Sequence, residues 1–384
     1  MQRHLRRLAS SLLAVAVLLS STGLVKAAPA GDAAPEKGKP IDIVLCLDVS
    51  GSMNGLIESA KSKLWDIVND LAKIKPTPEL RVGLYSYGHS TYDAQAGWVR
   101  KEVDLTGDLD EVYRKLNALT INGGTELVAR VTRDAIDQQK WSADKNALKI
   151  IFVCGNESAD QDKQVTLASV ADKATEKDVV INTIFCGPVG HGDATGWQNY
   201  AVLAKGKFFS IDQNKGTVVI NTPFDQDIAK LSADMSKTYV AYGAAGKEKA
   251  ANQVAQDANA LKQAPGVAAA RAESKNSAFY RNDGWCLVDR MKNDKEFDLK
   301  KIAVEDLPEE MKKMTAEERE AHLKKKLAER ETMQKQIAEL SAKRQAYIKE
   351  ESKKNPDKAD QAFDAAVRGA LRQQADSKGI KIPE

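Results

Sequence analysis

The chain has 384 residues, of which 42% are hydrophobic and 29% charged, proportions that are ordinary for a soluble globular protein. This length predicts two domains rather than one. Lysine and arginine number 57 against 54 aspartates and glutamates, and the resulting net charge of +3 argues against a nucleic-acid-binding protein, which normally has a clustered basic excess. With 24 glycines, 11 prolines and 4 cysteines, the chain is also neither collagen, nor disordered throughout, nor a disulfide scaffold.

Residues 1–30 have the order of a secretory signal peptide. Three arginines come first, an apolar run extends from Leu8 to Val25, and small residues follow at Ala27 and Ala30. We therefore predict export to the periplasm or the extracellular space, with cleavage after Ala27 or Ala30. The alternative is an uncleaved membrane anchor. No later stretch is long and apolar enough to cross a bilayer, so we expect no transmembrane segment after cleavage.

Strand and helix signals alternate between residues 40 and 243, after a short linker at 31–39. Apolar or alternating runs predict strands at 41–47, 80–87, 98–105, 148–154, 179–186 and 208–211. Helical periodicity and capping residues predict helices at 57–74, 108–119, 123–141, 165–177, 197–205 and 228–242. This alternation predicts an α/β fold with a doubly wound, mostly parallel sheet, in which ligands bind at the carboxyl ends of the strands.

Oxygen-bearing side chains are concentrated at that predicted edge. Asp48, Ser50 and Ser52 directly follow the first buried strand at a spacing of two residues. Such a loop can turn three oxygens toward one point, and hard oxygen ligands suit Mg²⁺. Thr125, after two glycines, and Gly155, after the fourth strand, are expected at the same edge.

With this loop, the Gly-Gly-Thr125 sequence and the order of strands, the segment 40–243 resembles the von Willebrand factor A domain. That family's metal-ion-dependent adhesion site uses an Asp-x-Ser-x-Ser loop, a threonine on a second loop and an aspartate on a third. The resemblance implies that Ser50, Ser52 and Thr125 offer hydroxyl oxygens to Mg²⁺, or to Mn²⁺ or Ca²⁺. It implies that Asp48 holds the cation directly or through water. It also implies a protein partner, whose carboxylate often completes the coordination in this family.

The third loop departs from the family pattern. Metal-binding members have Thr-Asp-Gly where this chain reads Cys-Gly-Asn-Glu at 154–157, so Gly155 occupies the aspartate position. Asn156 or Glu157 could substitute, and we expect open space at Gly155 that an engineered aspartate would fill to tighten binding. With fewer anionic ligands, binding of Mg²⁺ should be weak. The alternative is that the serines of the first loop only form a turn and cap a helix.

Other chemistry is sparse. His89 and His191 are expected to be solvated loop residues. Since no nucleophile, base and orienting group can be assembled, we predict that the protein is not an enzyme. Cys46, Cys154 and Cys186 lie on predicted buried strands, and we expect free thiols because adjacent parallel strands are a poor setting for a disulfide.

Residues 244–384 are rich in Ala, Lys, Glu and Gln and have no strand signals, which predicts a helical region of no named family. Helices are expected at 250–263, 316–353 and 357–378, and an aromatic segment at 280–291 is expected to dock on another part of the chain. The break at 355–356 suggests that the last two helices form a long antiparallel hairpin. A coiled-coil dimer is the alternative, although Arg330 and Arg344 interrupt the heptad seam.

These features predict an exported protein-binding module that grips an unidentified protein partner through a divalent cation at an incomplete adhesion site. The helical region would space, dock or oligomerise the module. The alternative is a metal-independent structural or scaffold protein of the cell envelope that keeps the same fold. Neither function involves nucleic acid.

Overall fold

A computed structural model describes residues 38–212, 219–354 and 363–383. The predicted signal peptide with its cleavage sites, residues 31–37 of the linker and the break at 355–356 lie outside the described residues. Within the described part, no helix has the length and apolar character needed to cross a membrane. The region 40–243 and the helices after it belong to one compact unit, and the boundary at residue 243 stays a prediction.

A six-stranded sheet forms the centre of the α/β region. Its strands are β1 (Pro40–Asp48), β2 (Glu79–Tyr87), β3 (Val99–Thr106), β4 (Leu148–Gly155), β5 (Val180–Phe185) and β6 (Phe208–Ser210). They lie in the order β3-β2-β1-β4-β5-β6, and all neighbours are parallel except the edge strand β3, which is antiparallel to β2. The predicted doubly wound, mostly parallel sheet is therefore confirmed.

The described residues of this region form six helices: α1 (Asn54–Ala72), α2 (Leu109–Ala118), α3 (Val128–Gln138), α4 (Leu167–Glu176), α5 (Ala194–Leu203) and α6 (Asp225–Ser236). The Asp108 side chain caps α2 by accepting a hydrogen bond from the Glu111 N–H at 3.0 Å, as its sequence predicts. The predicted extension of α6 to residue 242 is wrong. Tyr239 instead stacks on Trp285, and Ala241 pairs with Cys286, so tertiary contacts override the helical pattern.

The two faces of the sheet contribute to two hydrophobic clusters, because successive side chains of a strand point to opposite faces. On one face, alternate β1 residues pack with α1, α2 and the C-terminal helices; these are Ile41, Ile43, Leu45 and Leu47. On the other face, Val44 and Cys46 of the same strand pack with α3, α4 and α5. The apolar run of β1 is therefore explained by burial on both sides.

The helical region consists of α7 (Gly246–Gln263), α8 (Pro265–Lys275), α9 (Leu287–Asn293), α10 (Glu309–Lys312), α11 (Ala316–Lys354) and α12 (Phe363–Ser377). The predicted long helix is confirmed in α11. The two helices predicted as a hairpin have different main neighbours, since α11 packs mainly on α6 and α12 mainly on α1. The apolar side chains of α12 that a hairpin would turn toward α11 lie in the sheet cluster; they include Phe363, Val367 and Leu371.

Buried charges join the helical region to the α/β region. Arg271 of α8 donates to Asp110 of α2 at 2.6 Å and to Asp257 of α7 at 2.7 Å. Lys275 donates to Asp257 at 2.8 Å, and the Tyr280 hydroxyl donates to Asp110. The aromatic segment 280–291 therefore contacts α2 through Tyr280, and the prediction that it docks on another part of the chain is confirmed.

Arg330 and Arg344, which interrupt the heptad pattern of α11, are also buried. Arg330 pairs with Asp289, and Arg344 donates to Asp225 at 2.9 Å. Their role in this molecule is to anchor α11 to neighbouring elements rather than to leave a gap in an apolar seam.

Candidate functional site

The first loop of the site begins where β1 ends. Asp48 is completely buried, and its Oδ1 accepts a hydrogen bond from the Ser50 N–H at 2.7 Å, which fixes the start of the turn. Its Oδ2 has no hydrogen-bond partner among the described residues, and neither does the buried Ser50 hydroxyl. Polar atoms in this condition are rare in folded proteins and are a sign of a missing ligand or water.

The serines of this loop do not act as a helix cap. Met53 holds the N-cap position of α1 and makes no side-chain capping hydrogen bond. Ser52 is exposed, and its hydroxyl accepts a hydrogen bond from the Asn156 side-chain amide at 2.9 Å. The Asp-x-Ser-x-Ser pattern thus has no role in capping α1.

The second loop brings a carboxylate that the sequence analysis missed. Glu126 is only 5% exposed, and its carboxyl lies against the side chains of Asp48 and Ser50. Thr125, the residue singled out by the sequence, is half-buried on the same loop. The signal that could have identified Glu126 is its position: it follows directly on the threonine, at the point where the loop reaches the carboxyl edge.

Glycines allow the two loops to approach each other. Gly88, which follows β2, has a φ of +84°, and a Cβ there would lie 2.9 Å from Asp48 Oδ1 and 3.0 Å from Glu126 Cγ. A Cβ at Gly124 would lie 2.4 Å from the Gly88 carbonyl oxygen. The loops are also tied by a hydrogen bond from the Asn122 N–H to the Val49 carbonyl at 3.0 Å. Bare backbone at these positions is what lets the acidic side chains meet.

The electrostatics of the pair favour a cation. Burial raises the pKa of Asp48 well above its usual range, and the nearby Glu126 carboxyl raises it further. Burial also raises the pKa of Glu126; the adjacent Asp48 and Ser50 side chains lower it in part, and the charge of Glu157 raises it again. Among the described residues, no lysine, arginine or histidine forms an ion pair with Asp48 or Glu126. A divalent ion would supply the positive charge that the two buried carboxyls lack.

The third loop differs from what the sequence predicted. A Cβ on Gly155 would lie 2.6 Å from the Tyr87 hydroxyl oxygen and 2.9 Å from the Trp197 ring, so the expected open space is not there. Both aromatic groups are held in place, since Tyr87 donates to the Cys154 carbonyl at 2.8 Å and Trp197 donates to the Glu157 carbonyl at 2.6 Å. The expectation of open space is therefore wrong, since an aspartate at Gly155 would have to displace one of these aromatic groups, whereas its effect on metal binding stays a prediction.

The two substitutes named for that aspartate are placed differently. Asn156 contacts the first loop through Ser52, and its Oδ1 is buried with no hydrogen-bond partner in the described part of the chain. Glu157 is exposed, and its carboxylate accepts a hydrogen bond from Gln161 at 3.2 Å. Asn156 therefore has a free oxygen near the first loop, whereas Glu157 lies at the rim.

The donor set fits a hard cation. Three buried oxygens of two adjoining loops lack hydrogen-bond partners in the described ranges: Asp48 Oδ2, Ser50 Oγ and Asn156 Oδ1. Across those ranges, no group of three or more His, Cys, Asp or Glu side chains could hold a metal ion, so a cation here would also need hydroxyl and amide oxygens. Carboxylate, hydroxyl and amide oxygens are the ligands of Mg²⁺, Mn²⁺ and Ca²⁺.

The histidines and cysteines stay outside this chemistry. The prediction that His89 is solvated is wrong: it is 7% exposed, stacks on Tyr92 and has its Nδ1 2.9 Å from the Thr91 hydroxyl oxygen. His191 is exposed, as predicted. All four cysteines are buried free thiols, and burial raises the pKa of the Cys46 thiol above its usual range, which makes it unreactive.

Residues 43–158 match the family model of the von Willebrand factor type A domain. The chain contains a von Willebrand factor type A domain. The matched segment includes both acidic residues of the site, Asp48 and Glu126, and the third loop. The domain is a protein-interaction module. No curated protein matches the chain.

Several solved structures are similar to the chain at low identity. Proximal thread matrix protein 1 from the mussel byssus, in a form described as having a zinc-occupied MIDAS motif, is 16% identical with a TM-score of 0.36, over 46% of this chain and 43% of that protein. The SpRpn10 VWA domain is 18% identical with a TM-score of 0.35, over 48% of this chain and 100% of that domain. The pilus adhesin SpaC from Lactobacillus rhamnosus GG is 13% identical with a TM-score of 0.35, over 46% of this chain and 28% of the adhesin. The chain thus spans less than half the length of the mussel protein.

Proposed function

We propose that this protein is an exported, non-enzymatic binding module that holds a divalent cation at the carboxyl edge of its sheet and binds a partner protein through it. The observation that carries the proposal is the buried Asp48 carboxylate, whose Oδ2 has no partner among the described residues and which lies beside the equally unpartnered Ser50 hydroxyl. Burying an ionised group without a compensating charge costs roughly several kcal/mol of folding free energy. A bound cation would remove this cost.

The residues that would hold the cation are Asp48, Ser50, Ser52 and Thr125, with Asn156 as a further oxygen donor. Ser52 is exposed, so the site opens toward solvent on its side. A carboxylate of the partner could complete the coordination from there, since Mg²⁺ retains exchangeable water ligands in incomplete protein sites. The export of the module is supported by the charged, apolar and small-residue order of residues 1–30.

A metal-independent scaffold of the cell envelope is the second candidate. The observation that favours it is the packing of Tyr87 and Trp197 against Gly155. These aromatic groups fill the space that the side chain of the family's third-loop aspartate would need. In that case, the carboxyls at the edge would be neutral when buried, and the protein would bind its partners through another surface.

Calorimetric titration of the full chain with Mg²⁺ and Mn²⁺ separates the two candidates. We expect saturable binding to the wild type, and at least ~10-fold weaker binding to Asp48→Asn, which keeps the Oδ1 acceptor for the Ser50 N–H but removes the charge. Glu176→Gln, an exposed change at the end of α4, is the matched control and should bind like the wild type. Absence of metal binding by the wild type, together with capture of envelope proteins that survives both a chelator and Asp48→Asn, would establish the scaffold.

A further inference from the structure

The candidate site lacks a negative charge that its motif would normally provide. Of the donors in the matched motif, Asp48 is the one carboxylate, and the others are neutral hydroxyls. Tyr87 and Trp197 fill the position where a third-loop aspartate would stand. One carboxylate and neutral oxygens offset the dehydration of Mg²⁺ poorly, because this ion gives up its water reluctantly.

Glu126 is placed where a second charge would act. Glu126 is 5% exposed. A Cβ built on Gly88 would lie 3.0 Å from Glu126 Cγ and 2.9 Å from Asp48 Oδ1. The two acidic groups therefore border the same bare stretch of backbone. The Ser50 hydroxyl lies between the loops, close to the Glu126 carboxyl, yet makes no hydrogen bond of good geometry to the described residues.

The surroundings of Glu126 differ from those of a buried carboxylate that is neutralised by the protein's own cations. A buried structural carboxylate in this protein looks like Asp162, which accepts two hydrogen bonds from Arg130 at 2.9 and 3.0 Å and others from the N–H groups of Gln164 and Val165. Among the described residues, Glu126 receives no such bond from an arginine, a lysine or a backbone N–H. Its neighbours are instead a second carboxylate and an unpartnered hydroxyl, which is an arrangement that suits a cation ligand.

We propose that Glu126 is a ligand of the divalent cation and supplies the second negative charge of the site in place of the missing third-loop aspartate. This inference rests on the proposed function. Glu126 and Asp48 together balance the charge of one divalent ion, with the loop hydroxyls and Asn156 as neutral donors. The charge of the site thus comes from its first and second loops, and the aromatic packing at Gly155 is compatible with metal binding.

The test compares Glu126→Gln with Glu157→Gln, an exposed carboxylate at the rim of the same site, in calorimetric titrations with Mg²⁺ and Mn²⁺. We expect Glu126→Gln to weaken binding at least ~10-fold, because it removes a charged ligand, and Glu157→Gln to leave it within about twofold. Glu126→Asp keeps the charge on a shorter side chain and should bind more tightly than Glu126→Gln.

Thermal unfolding with and without Mg²⁺ supplies a second readout that does not depend on the titration heats. In chelator, Glu126→Gln should unfold at the same temperature as the wild type or higher, because it removes a buried like charge beside Asp48. In Mg²⁺, the wild type should gain stability and the variant should gain much less. A lower unfolding temperature of Glu126→Gln in chelator would mean a structural role and overturn the inference.

The remaining outcomes separate this inference from the proposed function. If the wild type binds Mg²⁺ and Glu126→Gln binds it equally well, Glu126 is not a ligand and the metal-dependent function still stands. If Glu157→Gln weakens binding as much as Glu126→Gln, the effect comes from long-range attraction between negative charge and the cation rather than from coordination, and the inference is wrong. If the wild type binds neither ion, the inference and the proposed function fail together.

Discussion

At the scale of single residues, the aromatic groups around Gly155 decide what the third loop can contribute. Tyr87 hydrogen-bonds to the Cys154 carbonyl and Trp197 to the Glu157 carbonyl, so neither group can move away without losing a hydrogen bond. Gly155 is therefore required for close packing between the end of β4 and these rings.

Replacing Gly155 by Ala tests this packing. The new Cβ would lie 2.6 Å from the Tyr87 hydroxyl oxygen, and we expect a loss of about 1–3 kcal/mol in the free energy of unfolding, as for other overpacked positions. Gly123→Ala is the control, since a Cβ there has nothing within 4 Å. Urea denaturation of both variants measures the difference. Equal stability of the two would show that the rings can shift without cost.

Some residues of the site can be identified from a local sequence motif, whereas others come together only through the fold. Asp48, Ser50 and Ser52 could be found from the sequence because their spacing is local and follows a buried strand. Glu126 has a weaker signal, its position directly after Thr125, because its approach to Asp48 depends on glycines that allow two separate loops to meet. The filling of the space at Gly155 by Trp197, which lies on α5 much later in the chain, has no local signal at all.

At the scale of elements, a buried group of four charges fastens α8 to α2 and α7. Arg271 and Lys275 are balanced by Asp110 and Asp257, and Arg271 is 1% exposed. Burial on its own raises the pKa of Asp257, but Lys275 and Arg271 outweigh it and hold the pKa below its usual range. Asp257 therefore stabilises the fold above the pKa it has when unfolded, and this contribution is lost as the pH falls through its lower folded pKa.

Asp110→Asn unbalances this group and should be strongly destabilising. Two buried cations would then share the single carboxylate of Asp257, and we expect a loss of about 3–5 kcal/mol in the free energy of unfolding at neutral pH. The control is Asp234→Asn, which breaks a surface pair with Lys237 and should cost at most about 1 kcal/mol. Guanidinium denaturation followed by circular dichroism measures both. A small effect of Asp110→Asn would mean that water already solvates the group.

Helices were predictable where their signals are local. Thr315 and Glu318 form a capping box with hydrogen bonds of 2.8 and 3.2 Å, and α11 begins at its predicted first residue. The partner of each helix was not predictable. The apolar stripe of α12 fits a hairpin as well as it fits α1, and only the competition between neighbours decides which surface it covers.

At the scale of the whole molecule, the helical region completes the core of the α/β region. Val267 of α8 and Phe363 of α12 lie in the same hydrophobic cluster as the β1 and α1 side chains. Asn69 of α1 donates a buried hydrogen bond to the Ala270 carbonyl at 2.8 Å. The amino-acid composition changes near residue 244, but the burial of one face of α1 depends on helices that follow this point in the chain.

This dependence predicts that a fragment of residues 40–243 is less stable than the full chain. Without α8 and α12, the covered face of α1 is exposed, and each large apolar side chain returned to water costs about 1.5–3 kcal/mol. We expect the fragment to unfold at a lower temperature than a chain of residues 38–384 and to bind a hydrophobic dye that the longer chain does not bind. Calorimetry and dye fluorescence on the two proteins measure these differences.

The comparison of the fragment with the longer chain can also show that residues 40–243 fold independently. If the fragment unfolds at the temperature of a distinct transition in the longer chain and binds no dye, then residues 40–243 fold independently and the boundary at residue 243 divides two domains. The control is Lys237→Ala in the longer chain, which alters an exposed side chain next to the cut and should cost at most about 1 kcal/mol of stability, as for the loss of its surface pair with Asp234. Because α1 begins directly after the loop that carries Ser50 and Ser52, a loss of its supporting helices should also weaken metal binding. A fragment that is folded but binds Mg²⁺ more weakly than the longer chain would place the helical region in support of the site.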